Sequence, residues 1–139
     1  MASPFKFDLV SPERLLMSEE VSQVVVPGSE GQFTVLVGHA PVMSTLRPGV
    51  VEVTLAGGRQ ERIFIRGGFA DVNAEGLTIL AEQAIPLAEL DADTIATEIR
   101  SAEEDIGDAK DETARAAATL KRDQLKEVQA ALGRGPAAH

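Results

Sequence analysis

Cysteine, histidine and serine carry most nucleophilic and metal chemistry, and in this chain they are absent or isolated. There is no Cys, and the only histidines are His39 and His139. This excludes thiol nucleophiles, thiolate metal sites and disulfides. His39 has no acid or Cys cluster beside it in sequence, so no metal site follows from it. Gly57-Gly58 and Gly67-Gly68 lack the Lys and the Ser or Thr of a phosphate-binding loop, and no Ser, His and Asp share a spacing suited to a catalytic set. Carboxylate pairs such as Glu103-Glu104 fit a solvated helix surface. The residue types predict no catalytic residue, no metal and no cofactor.

Docking is the chemistry that the spacing favours. From Pro27 to Pro41 the chain reads Pro-Gly-Ser-Glu-Gly-Gln-Phe-Thr-Val-Leu-Val-Gly-His-Ala-Pro. Pro27 fixes one φ, Gly28 and Gly31 admit the positive φ of a tight turn, and Gly38 frees the backbone before His39. Two turns therefore bracket one short strand. The first carries Glu30 and Gln32 as polar tips, and the second holds His39 in a stiff corner with Ala40 and Pro41.

The elements that position these turns divide the chain in two. All five Phe, six of the seven Pro and nine of the twelve Gly lie at or before Pro86, and the remainder is rich in Ala and charged residues. Strand chemistry gives way to helix chemistry there. Short β-branched segments at Phe5 to Leu9, Val21 to Val26, Gln32 to Val37, Val50 to Leu55, Arg62 to Arg66, Ala70 to Val72 and Leu77 to Ala81 predict strands. With no helix between them they favour an antiparallel sandwich or barrel. After Pro86, Ile95, Ile99, Ala102 and Ile106 fall on one helical stripe, with Asp91 or Asp93 placed to cap its start. Gly107-Asp108 breaks the pattern. A second helix is predicted from about Asp111 to Leu132, with Ala117, Leu120, Leu125, Val128 and Leu132 inward and Gly133 at its end. The two helices are expected to pair as an antiparallel hairpin. Its Ala-rich seam would bury little area and open easily.

The net charge of −9 and the pI near 4.7 argue against nucleic-acid binding, which needs clustered Lys and Arg. The acid excess is shared, with ten acids against six bases through Pro86 and twelve against seven beyond. No run reaches the roughly 20 apolar residues of a membrane-spanning helix, so membrane association is expected only through a partner.

Five stretches carry a family resemblance: Phe7-Asp8-Leu9-Val10-Ser11-Pro12, Val24-Val25-Val26-Pro27-Gly28-Ser29-Glu30-Gly31, His39-Ala40-Pro41, Arg47-Pro48-Gly49 and Gly67-Gly68-Phe69-Ala70-Asp71-Val72. In order and spacing they resemble the epsilon subunit of F-type ATP synthase, called delta in mitochondria, over about residues 5 to 86. The resemblance implies a β-sandwich of about ten strands over residues 1–86, followed by a helical hairpin over residues 87–139 with a short disordered tail. It also implies a rotor subunit of the central stalk, peripheral on the cytoplasmic face of a bacterial inner membrane, or on the matrix face in a mitochondrion.

By the same resemblance, His39, Ala40, Pro41, Val42 and Met43 would meet the gamma subunit. Ser11, Glu30 and Gln32 would face the polar loops of the c-ring, with Gln32 offering a neutral hydrogen bond where relatives often carry an acid. Some bacterial relatives bind ATP through an Ile- or Leu-Asp-x-x-Arg-Ala motif. Here Leu90-Asp91-Ala92-Asp93-Thr94-Ile95 lacks its arginine and adds an acid, which leaves Asp91 and the distant Arg100 as weak candidates and Asp91 mainly as a helix cap. Arg115, Lys121, Arg122 and Lys126 could meet the alpha/beta catalytic head if the hairpin extends and blocks ATP hydrolysis. They could equally be a solvated face paired with Asp111, Glu112, Asp123 and Glu127. Without the resemblance, the rival readings are a free-standing module whose hairpin grips a partner helix and a small ligand-binding sandwich.

Overall fold

The computed structural model describes residues 4–133. Two compact units divide between Ala88 and Glu89. The expected tail, from residue 134 on, lies outside the described residues.

The first unit contains nine strands: β1 (Phe5–Val10), β2 (Leu15–Gly28), β3 (Gly31–Val35), β4 (Val42–Leu46), β5 (Gly49–Leu55), β6 (Gln60–Ile65), β7 (Gly68–Asn73), β8 (Gly76–Ala81) and β9 (Ala84–Pro86). The strand order is β1-β8-β7-β4-β2-β5-β6-β9, with β3 also on β2 and β1 also paired to β2. β2 explains how one hydrogen-bonded sheet makes two layers. Its first half, to Val21, pairs with β1, and its second half pairs with β3 and β5, with an irregular register between Val21 and Gln23. Such an irregularity bends a strand, and β2 passes from one layer to the other. Because β2 serves twice, nine strands do the work of the ten expected.

One pairing departs from the antiparallel expectation. β1 and β8 run parallel, Phe7 opposite Leu77 and Leu9 opposite Ile79. Parallel neighbours need a long connection, and the whole stretch from β2 to β7 supplies it. The core follows from period-2 alternation: Phe7, Leu9, Val21, Val24, Val26, Val35, Val51, Val53, Ile63, Ile65, Leu77 and Ile79 are buried between the layers.

The second unit is a helical hairpin. α1 spans Ala92–Asp108 and α2 spans Glu112–Gly133. The two helices pack on one another, and the three residues between them require an antiparallel return. Asp91 caps α1, its carboxylate accepting from the Asp93 N–H at 3.0 Å and from Thr94 Oγ1 at 3.1 Å. The α1 stripe matches its prediction at Ile95, Ile99 and Ala102, which are buried, while Ile106 is half-buried. α1 continues through Gly107 to Asp108 rather than stopping before it.

On α2 the inward stripe needs correction. Leu125, Val128 and Ala131 are buried, but Ala117 is exposed and Leu120 is 59% exposed. Leu120 lies five residues from Leu125, about 140° around a helix of 3.6 residues per turn. Only Ala131, three turns further on, comes back to within about 20° of it.

Candidate functional site

Strand directions sort the loops onto two ends of the sandwich. Val10 pairs with Leu15 and Leu80, Gly68 with Ala81 and Leu46, and Leu46 with Gly28. One level of the ladders therefore joins six ends of five strands, β2 contributing both of its own. The turns just beyond it, at Ser11 to Arg14 and at Ser29 to Glu30, share one end of the sandwich. At the other end, Phe5 lies opposite Val21, Val42 opposite Val72 and Val21 opposite Leu55. The loop carrying His39 belongs to this second end, beside the Asn73 to Gly76 turn.

At the Glu30 end, Gly28 pairs with Gly31 across a two-residue hairpin, and Glu30 and Gln32 are exposed. Only Gly31 takes a positive φ, of 139°. Gly28 is needed for space instead, because a Cβ there would stand 2.6 Å from the Gly31 carbonyl oxygen and 2.9 Å from the Phe33 ring. The hairpin is tied to β4 by the Ser29 N–H donating to the Thr45 carbonyl at 2.9 Å and by Thr45 Oγ1 donating to Ser29 Oγ at 2.8 Å. Ser11 is half-buried in its own turn, its N–H donating to the Arg14 carbonyl at 2.9 Å. Its hydroxyl stands 3.4 Å from the same oxygen. The structure thus brings Ser11 and Glu30, on short turns, and Gln32, near the start of β3, to one end.

At the other end, Gly38 has a φ of 80°. The His39 N–H donates to the Leu36 carbonyl at 3.1 Å, and its Nδ1 lies 2.8 Å from the Ala40 carbonyl. The His39 ring stands 6.5 Å from that of Phe33, tilted by 40°. His39, Ala40, Pro41, Val42 and Met43 are all exposed, Met43 by 70%.

The sequence reading missed the apolar surroundings. Leu36 and Val37 are exposed beside His39. Phe69 pairs with Leu80, Leu80 with Val10 and Val10 with Leu15. Partners directly across a ladder point to the same face, so these four form a row on the outside of one layer. Phe69, Leu80 and Leu15 are at least half exposed. Met43 joins this face, since it pairs with Asp71, two residues from Phe69. A signal existed in Ile79-Leu80-Ala81 and Val35-Leu36-Val37, where consecutive apolar residues cannot all face one core.

The remaining candidates lie on the hairpin. Asp91 and Arg100 stand nine residues apart, about 13 Å along α1 at 1.5 Å per residue. The Asp91 carboxylate caps the helix, and Arg100 donates to Thr97 Oγ1 at 3.2 Å. On α2, Arg115, Arg122 and Lys126 recur at steps of seven and four and share one stripe, whereas Lys121 sits about 100° from Arg122. Arg115 pairs with Glu112, and Arg122 with Asp123 at 3.1 Å. Among the described residues, no group of three or more His, Asp or Glu is placed to hold a metal ion, and no helix is long and apolar enough to cross a membrane.

Residues 4–87, the sandwich just described, match the family model of the ATP synthase delta/epsilon chain β-sandwich domain. The chain belongs to this family. It is 55% identical over 129 residues to the ATP synthase epsilon chain of Parvibaculum lavamentivorans, covering 93% of this chain and 98% of that one. It is 50% identical to the epsilon chain of Mesorhizobium japonicum, covering 95% and 98%. Among solved structures, a chain of the Euglena gracilis mitochondrial ATP synthase assembly of OSCP, F1 and c-ring matches with a TM-score of 0.81 and 29% identity, over 95% of this chain and 83% of that one. A chain of the Tetrahymena thermophila central stalk and c-ring assembly shares the fold, with a TM-score of 0.65 at 14% identity, over 94% and 98%. As a family member the chain is a subunit of an ATP synthase, and the rotor role expected for it fits that membership.

Proposed function

We propose that this chain is a non-catalytic subunit of the central stalk that meets gamma with one flank of its sandwich and the c-ring with one end, carrying torque between proton flow and the catalytic head. The carrying observation is the division of the surface. Exposed apolar side chains at Leu36, Val37, Val42 and Met43 lie at the His39 end, and Phe69, Leu80 and Leu15 carry one outer face on to the ladder level beneath the Ser11 and Glu30 turns, whose exposed tips are polar. Exposed apolar residues gathered on one face mark a protein-protein contact. Gamma is assigned to that flank, including His39, Ala40, Pro41, Val42 and Met43. The c-ring is assigned to Ser11, Glu30 and Gln32, where hydrogen bonds and one carboxylate would set register.

Neither role calls for a cofactor of the chain's own. The chain would be peripheral, held to the cytoplasmic face of the inner membrane by its partners. The stripe of Arg115, Arg122 and Lys126, with Lys121 beside it, is assigned to transient contact with the alpha/beta head. Two variants test the division. Phe69→Glu should weaken gamma binding at least about tenfold, as a charge placed in an apolar contact does. Glu30→Lys should leave gamma binding unchanged and reduce proton-coupled ATP synthesis in the assembled enzyme. Unaltered gamma binding by Phe69→Glu would remove the flank from the reading.

A further inference from the structure

We infer that His39 is locked in the tautomer protonated at Nδ1, so that Nε2 is left as a hydrogen-bond acceptor and selects a neutral donor, a hydroxyl or N–H group, on the gamma surface it meets. The identity of the partner rests on the docking reading above. The tautomer rests on the geometry of this chain alone.

The sequence stiffens the corner first. Ala40 precedes Pro41, and the proline ring biases the residue before it to extended backbone. The Ala40 carbonyl is thereby held in place. Gly38, with a φ of 80°, turns the chain so that the His39 N–H reaches the Leu36 carbonyl at 3.1 Å. The Phe33 ring stands beside the imidazole at 6.5 Å. In this corner Nδ1 lies 2.8 Å from the Ala40 carbonyl oxygen. A carbonyl oxygen only accepts, so the contact requires the proton on Nδ1. The other neutral tautomer would set two lone pairs against each other at that distance. A neutral imidazole has one N–H, and Nε2 therefore keeps its lone pair on an exposed side chain.

The surroundings set the class of donor. His39 lines a recess of about 80 Å³ together with Phe5, Val35, Leu36, Val37 and Val72. A cationic donor would give up hydration against these apolar walls, and among the described residues lining the recess none carries a carboxylate to compensate it. A neutral hydroxyl or N–H loses far less. Water in such a recess has few polar partners, and an apolar group that displaces it gains affinity. The donor is therefore expected on a side chain whose apolar body enters the recess.

Ring nitrogen-15 shifts of the full-length chain carrying His139→Ala test the tautomer, recorded at mildly alkaline pH so that the neutral ring is read. Nδ1 should show a pyrrole-like shift and Nε2 a pyridine-like one. A pyrrole-like Nε2, or the averaged shifts of a ring exchanging between tautomers, overturns the inference whether or not gamma binds. Calorimetry with gamma tests the donor. His39→Phe keeps a ring beside Phe33 but removes the acceptor, and should weaken binding about fivefold or more, because the partner's donor is left unpaired. His39→Gln, whose amide oxygen can accept in place of Nε2, should stay within about threefold of wild type. Equal weakening by both variants, or none by His39→Phe, overturns the donor assignment. Phe69→Glu, measured alongside, keeps the two readings apart. If it weakens gamma binding while His39→Phe does not, the docking flank survives and this inference fails; if His39→Phe alone weakens binding, the inference stands and the flank does not.

Discussion

The two units of this chain are stabilised by opposite means. The sandwich rests on contacts between residues distant in sequence: Phe7 lies opposite Leu77, Leu46 opposite Gly28, and fifteen Val, Ile, Leu and Phe side chains fill the space between its layers. The hairpin rests on local terms, with one carboxylate capping each helix, an Ala-rich sequence and only three buried residues on each helix. A core of long-range contacts holds loops rigidly and so suits a surface that must transmit force. The hairpin has fewer such contacts to hold its two helices together. The difference separates a unit held by long-range contacts from one held by local ones within a single chain.

Substitutions sharpen this comparison, beginning with the sandwich. Gly68 has a φ of 138°, and a Cβ there would stand 2.0 Å from the Leu80 carbonyl oxygen. Gly68→Ala should therefore cost on the order of 4 kcal/mol, a value at the extreme of single substitutions, and denaturant melts of the purified variant should show the sandwich unfolded or close to it. Phe7→Ala, at a fully buried position between the layers, should cost about 3–5 kcal/mol by the cavity it leaves, read as a lowered urea midpoint. On the hairpin, Ile99→Ala should cost about 2 kcal/mol, and exchange of the α1 amides should quicken while the ladder amides of β7 and β8 keep their protection. Loss of protection in both units together would contradict the separation. Asp91→Ala removes the α1 cap and should cost about 1 kcal/mol. The smallest effect is expected for Leu120→Lys, at a position 59% exposed, within about 0.5 kcal/mol. A larger loss would show that Leu120 packs after all.

The alternation of apolar and polar residues made most strands legible, and the stripe of Ile95, Ile99 and Ala102 made α1 so. What escaped had physical reasons. The first half of β2 includes Ser18-Glu19-Glu20, an exposed polar run, so local pattern starts the strand only at Val21. β4 follows Pro41 and presents Val42 and Met43 outward, and β9 is three residues long. The parallel pairing of β1 with β8 is a non-local choice that no window of sequence contains. Among the candidate site residues, turn chemistry gave the Glu30 and His39 loops, but their placement at opposite ends required the bend of β2. Phe69 and Leu80 were visible only as apolar residues out of phase with the core.

Gamma docking is assigned to the sandwich flank and not to the hairpin. Calorimetric measurement of gamma binding to the wild-type chain, to Phe69→Glu and to Leu120→Glu tests it most directly. At least about a tenfold loss of affinity is expected for Phe69→Glu and none for Leu120→Glu. Unchanged affinity for Phe69→Glu with a loss for Leu120→Glu would place docking on the hairpin and contradict it.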